Sequence, residues 1–112
     1  MKYVLVTGAY GGMGQKTAEL FKNQGFCVFA LDKNVGIAEE NVIPLCVDIT
    51  NEDSVKNAFK KVKEVTDELY AIVHFAGVYM LDSLVEMSAD CFERIFKVNL
   101  FGAFLVNKTF LP

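Results

Sequence analysis

The segment Thr7-Gly8-Ala9-Tyr10-Gly11-Gly12-Met13-Gly14 joins a short β-branched run, Tyr3-Val4-Leu5-Val6, directly to a helical pattern. A run that short and continuously apolar suits a strand buried on both faces. Beyond the glycines, Met13, Thr17, Ala18 and Phe21 recur at helical spacing while Gln15, Lys16, Glu19 and Lys22 fall elsewhere, and Gly25 ends the helix. A strand that enters a helix through a glycine turn presents the helix N-terminal amides at the end of a parallel sheet, where they suit a pyrophosphate. Gly8 permits the tight turn, Gly12 lets backbone approach phosphates closely, and Gly14 lets helix and sheet pack tightly. The spacing is Gly-x-x-x-Gly-x-Gly, not the commoner Gly-x-Gly-x-x-Gly.

The rest of the chain repeats the strand–helix alternation. Phe26 to Leu31 closes on Asp32, Val42 to Val47 closes on Asp48, and Leu69 to Phe75 ends at Ala76-Gly77. Pro44 lacks an N–H donor, which places the third strand at or near a sheet edge. Thr50 or Asn51 caps a helix over Val55 to Val65 with Glu52 and Asp53 in its first turn, and Ser88 caps a last helix reaching about Phe110, with Pro112 as its stop. Right-handed crossovers then give a mainly parallel sheet with helices on both faces. The last helix is apolar on two sides, Phe92, Ile95, Phe96, Ala103 and Val106 forming one stripe and Phe101, Phe104 and Leu105 another. One stripe covers the sheet and the other needs a partner.

Composition narrows the class. The 112 residues are 53% hydrophobic and 22% charged, as in a compact domain without linker or repeat. A net charge of -3 provides no basic field for nucleic acid, and Lys60, Lys61 and Lys63 read as a solvated helix face. No apolar run approaches the ~20 residues that cross a bilayer, and the glycines would interrupt a signal peptide, so a cytoplasmic protein is expected. Cys27, Cys46 and Cys91 form no CxxC pair and read as buried, inert thiols, with no metal site.

Asp32 lies 18 residues beyond Gly14, at the end of the second strand. There it can accept hydrogen bonds from an adenosine ribose and repel a 2′-phosphate, which favours NAD over NADP. Lys33 partly offsets that repulsion. Asp48 ends the third strand on the same edge, where it either faces an adenine amino group or serves as a simple turn residue.

These residues resemble the short-chain dehydrogenase/reductase family, whose cofactor turn Thr-Gly-x-x-x-Gly-x-Gly matches Thr7, Gly8, Gly12 and Gly14. The resemblance spans the chain. It implies a Rossmann-type, doubly wound α/β fold with strand order 3-2-1-4, residues 1–112 being an N-terminal NAD(P)-binding portion that stops before a fifth strand. It implies cofactor contact for Thr7, Gly8, Tyr10, Gly11, Gly12, Met13, Gly14, Asp32, Lys33, Asp48, Ile49, Phe75, Ala76 and Gly77, with Asp48 toward adenine. The family's Asn-Asn-Ala-Gly stands here as His74-Phe75-Ala76-Gly77, so the sheet must be braced by other side chains, and His74 reads as a bracing or buried residue. Asn99-Leu100-Phe101-Gly102 resembles the family's Asn-x-x-Gly, whose asparagine belongs to the catalytic set. Asn and Gly are both poor interior helix formers, so a local distortion that frees a carbonyl is expected here; the plainer reading is close helix packing at Gly102.

Family chemistry moves a hydride between nicotinamide and an alcohol or carbonyl carbon, with a tyrosine exchanging the proton and a lysine four residues on lowering its pKa. Four positions after Tyr3, Tyr10, Tyr70 and Tyr79 stand Thr7, Gly14, His74 and Ser83, so no Tyr-x-x-x-Lys occurs. The resemblance therefore implies the cofactor-binding part of an NAD-dependent oxidoreductase, inactive alone, with a small alcohol or carbonyl substrate in the complete protein. A homo-oligomer is expected, no nucleic-acid or membrane partner, and Val78 to Met87 as one wall of the substrate pocket. The alternative is a non-catalytic NAD-sensing module acting through a protein partner.

Overall fold

The computed structural model describes residues 1–76 and 88–110, the Phe92 side chain aside. In chain order it forms β1 (Tyr3–Thr7), α1 (Gly12–Asn23), β2 (Cys27–Asp32), β3 (Val42–Cys46), α2 (Glu52–Lys63), β4 (Ala71–His74), α3 (Ala89–Phe96), a π-helical stretch Lys97–Phe101, and α4 (Gly102–Phe110). The strands pair in parallel in the order β3-β2-β1-β4, with Leu5 opposite Phe29 and Ile72, and Phe29 opposite Ile43. Pro44 sits on the edge strand β3, as its missing donor requires.

Alternation along the strands divides the core into two layers. Leu5, Phe29, Leu31 and Leu45 meet Val55, Ala58 and Val62 of α2 and Leu105, Val106 and Phe110 of α4. Val4, Val6, Val28, Ala30 and Val42 meet Ala18 of α1 on the opposite face. The central strands are therefore apolar on both sides, which explains their continuous runs. Each fully buried side chain of this kind stabilises the fold by roughly 1.5–3 kcal/mol.

Helix ends follow local chemistry. At the end of α1, Gly25 takes φ +90, and the Phe26 N–H donates to the Phe21 carbonyl, so β2 starts at Cys27, not Phe26. Asn51, one of the two expected caps, starts α2 at Glu52, three residues before Val55, by accepting the Ser54 N–H at 3.0 Å. β3 and β4 are shorter than their apolar runs, ending at Cys46 and His74.

Ser88 caps α3 through the Cys91 N–H at 3.1 Å, but the helix it opens is not uniform. The expected distortion falls on Asn99, inside the π-helical stretch. That stretch adds a residue to its turn and shifts one half of the helix against the other, so a single helical wheel mis-sorts the apolar positions. Leu105 and Val106 are both buried with Gly102 and Phe110, while Phe96, Leu100, Phe101 and Phe104 are exposed. Leu105 thus belongs with Val106, and Phe96 does not.

Of the cysteines, Cys27 is buried as expected. Cys46 is exposed at the end of the edge strand, its thiol donating to the Lys33 carbonyl at 3.2 Å, and Cys91 is half-buried. Among the described residues no helix is long and apolar enough to cross a membrane.

Candidate functional site

Because all four strands are parallel, Thr7, Asp32, Cys46 and His74 end on one edge of the sheet. The glycine turn lies on that edge. Gly8 has φ +65, and a Cβ there would stand 2.5 Å from the Ala76 nitrogen and 2.6 Å from the Phe75 carbonyl carbon. Thr7 is wholly buried; its carbonyl accepts the Phe75 N–H at 2.9 Å and its hydroxyl the Ala76 N–H at 3.3 Å. The turn is therefore clamped to the end of β4. A Cβ on Gly14 would fall on the Gly8 carbonyl oxygen, which sets α1 directly upon the turn.

Gly12 differs from both, because a Cβ there would meet nothing within 4 Å. Gly11 is the N-cap of α1, and its carbonyl accepts the Gln15 N–H at 2.9 Å as the first helical bond. The amides of Gly12, Met13 and Gly14 therefore have no acceptor within the helix. Among the described residues no side chain caps them, and no acidic residue stands in the first turn. By contrast α2 has Asn51, Glu52 and Asp53 at its start, and α3 has Ser88 and Asp90. The N-terminus of α1 keeps its partial positive charge for an external anion. Met13, 70% exposed, stands beside this opening.

Asp32 is half-buried at the end of β2. Its Oδ2 accepts the Tyr10 N–H at 3.0 Å and its Oδ1 the Lys33 N–H at 2.7 Å, so turn and strand end are tied together. Each oxygen keeps a second lone pair for another donor. Tyr10 contributes its backbone here, while its ring packs against the α1 layer beside Gly36. The hydroxyl is buried; burial raises its pKa, and the Gly36 backbone beside it acts the other way.

A cavity of about 400 Å³ opens farther along the edge, lined by Lys33, Asp48, Ala76 and Val98 among others. Its size falls in the range of small-molecule sites. The Asp48 carboxyl lies below the usual carboxylate range, chiefly because the Thr50 hydroxyl and N–H donate to it, with smaller help from Lys33 and Lys97. Ile49 is nearly buried beneath α4, where a Cβ on Gly102 would stand 2.6 Å from its Cδ1. Close packing at Gly102 and distortion at Asn99 are therefore both present. Phe75 packs into the α1 layer. His74 is exposed, and its Nε2 shares a 2.9 Å hydrogen bond with Oδ1 of Asn107, bracing β4 against α4. Gly77 and Val78 to Met87 lie outside the described residues.

Sequence reasoning brought the turn, Asp32, Asp48 and Ala76 to one edge and missed Thr50, Arg94, Lys97 and Val98, which also line the cavity. Thr50 carried a signal, because Asp followed two residues later by Thr is a local turn pattern. The other three depended on how the last helix crosses the sheet.

A four-stranded parallel sheet in this order, with an uncapped helix N-terminus on its carboxyl edge, defines a Rossmann-like nucleotide-binding fold. The chain belongs to the short chain dehydrogenase family, whose model matches residues 2–112. It is 38% identical to estradiol 17-beta-dehydrogenase 2 of Mus musculus over 99% of this chain and 32% of that protein. It is 30% identical to the NAD-dependent glycerol dehydrogenase of Listeria innocua over 94% of this chain and 44% of that protein. The ligand-free aldohexose dehydrogenase of Thermoplasma acidophilum superposes with a TM-score of 0.91 at 32% identity, covering 99% of this chain and 43% of that one. The chain thus spans less than half the length of these three proteins.

Proposed function

We propose that this chain is the dinucleotide-holding part of an NAD-dependent short-chain oxidoreductase that interconverts an alcohol and a carbonyl compound. The observation that carries the reading is the N-terminus of α1, open at Gly12 and capped by no side chain, beside the carboxylate of Asp32. The residues present fit a dinucleotide. Gly12, Met13 and Gly14 hold the pyrophosphate by their amides, with Thr7, Gly8, Tyr10 and Gly11 shaping the turn. Asp32 takes the adenosine ribose, Lys33 moderates its charge, and Asp48 and Ile49 take the adenine. Phe75, Ala76 and Gly77 give the backbone surface for the nicotinamide side. When bound, the cofactor supplies or accepts the hydride.

Asn99 is the one member of the family's catalytic set in this chain, and the π-helical stretch around it frees backbone carbonyl capacity for water. The 112 residues hold no Tyr-x-x-x-Lys to exchange the substrate proton, so this stretch alone binds without turnover. The protein acts in the cytoplasm as a homo-oligomer, and the exposed Leu100, Phe101 and Phe104 supply contact area between copies. The same exposed face favours a second reading, an NAD-sensing module whose assembly reports occupancy. Native size that changes with NADH supports that reading, and indifference to NADH removes it.

Fluorescence titration with NADH and NADPH tests the main proposal. NADH is expected to bind more tightly, because Asp32 repels a 2′-phosphate. Binding of neither overturns the proposal.

A further inference from the structure

Asp48 is held at both its backbone and its side chain. Its N–H donates to the Ser54 hydroxyl at 2.9 Å, and the Ser54 N–H donates in turn to Oδ1 of Asn51 at 3.0 Å. Its Oδ1 accepts twice from one residue, the Thr50 N–H at 3.0 Å and the Thr50 hydroxyl at 2.6 Å. The last torsion of an aspartate is soft, so two donors on one oxygen set the orientation of the whole carboxylate. Oδ2 has no described hydrogen bond, on a residue that lines the 400 Å³ cavity.

We infer that Thr50 is a positioning residue that makes this site selective for a 6-aminopurine over a 6-oxopurine, by fixing Oδ2 of Asp48 as an acceptor-only oxygen. The inference rests on the dinucleotide reading above. An ionised carboxylate oxygen accepts an exocyclic N–H and repels a carbonyl oxygen at the same place. Hydrogen bonds to the charged form also favour that form. The ionisable groups around the cavity are Lys33 after β2, Asp90, Glu93 and Arg94 on α3, and Lys97 on the π-helical stretch. Lys33 and Lys97 act on Asp48 in the same direction as Thr50.

The test compares dissociation constants for NADH and reduced nicotinamide hypoxanthine dinucleotide, from pH 5 to 8, in the wild-type chain, Thr50→Val, Thr50→Ser and Asp48→Asn. Wild type is expected to prefer NADH by about tenfold, the worth of one hydrogen bond to a charged group. Thr50→Ser keeps that preference, whereas Thr50→Val and Asp48→Asn lose most of it. A carbon-13 titration of the Asp48 carboxyl without ligand gives a second readout: its midpoint rises in Thr50→Val and stays in Thr50→Ser. Equal wild-type binding of the two dinucleotides overturns the inference and leaves the dinucleotide reading standing. Binding of neither overturns both. A Thr50→Val chain with unchanged preference, or a wild-type Asp48 that titrates at an ordinary carboxylate value, also overturns the inference.

Discussion

Replacing Gly12 with alanine separates binding from folding at the glycine turn. The added Cβ meets no heavy atom of the described residues within 4 Å and occupies the first residue of α1, so none of them opposes it. Alanine also narrows the unfolded ensemble, worth about 0.4–1 kcal/mol where the native backbone is compatible. Gly12→Ala is therefore expected to leave the urea midpoint unchanged or raise it slightly. The space it fills is the approach to the first-turn amides. Losing one charge-assisted hydrogen bond there costs roughly 1.5–3 kcal/mol, or about 10- to 150-fold in affinity. Equilibrium urea unfolding measures the first quantity and NADH fluorescence titration the second. Wild-type affinity in Gly12→Ala would refute the assignment of the pyrophosphate to this turn. A loss of stability above about 2 kcal/mol would show that Gly12 is retained for folding, which the open space contradicts.

The other glycines behave oppositely. Gly14→Ala drives a Cβ onto the Gly8 carbonyl and is expected to destabilise by about 2 kcal/mol or more in the same urea experiment. Gly102→Ala presses on Ile49 and costs roughly 1–3 kcal/mol; because the neighbour is a side chain, adding Ile49→Val recovers part of it, and strict additivity of the two would contradict the contact. Tyr10→Phe removes a buried hydroxyl that makes no well-aligned hydrogen bond among the described residues and is expected to hold or raise the melting temperature. Since burial raises the Tyr10 pKa, its contribution is complete below about pH 10 and lost as pH climbs through the folded value, so Tyr10→Phe flattens the alkaline limb of stability. Asp48 has the opposite sign: its folded pKa is depressed, so its contribution is present above the unfolded value of about 3.9 and disappears as pH falls through the folded one. Thr50→Val should therefore soften the acid limb, and an unchanged limb would count against the Thr50 hydrogen bonds.

The architecture was legible wherever one period dominated. Tyr3 to Val6 and Phe26 to Leu31 read as strands buried on both faces because helices do cover both faces. The start of α2 was legible from its cap, since Asn51 accepts the Ser54 N–H and Glu52 and Asp53 stand in the first turn; its end was not, because the helix stops at Lys63, short of Val65. The face assignment of the last helix failed for a different reason. Asn99 and Gly102 signalled a distortion, but not that the extra residue would rotate Leu105 into the core. Cys46 was read as buried from its strand alone, and only its place at the end of an edge strand exposes it. In the candidate site, residues close in sequence to strand ends were found, while Lys97 and Val98 arrive from a helix whose path no local pattern specifies.

Departures from local structural preference gather at this one edge. α1 starts without a side-chain cap among the described residues, at a cost of about a few tenths of a kcal/mol for the glycine at position 11 relative to a serine or aspartate. The last helix interrupts its α-helical bonding at Lys97–Phe101, next to a cavity that Lys97 and Val98 help to line. α2, whose start is fully capped, uses its first turn to fix Asp48 on the same cavity. Local rules that fail together beside one cavity are what a binding site requires of its scaffold. A side-chain acceptor at Gly11 would occupy the amides that an anion needs, so Gly11→Asp should stabilise the helix while weakening NADH binding. Unfolding and titration experiments on that one variant therefore read the conflict between cap and ligand directly; stability and affinity rising together would contradict it.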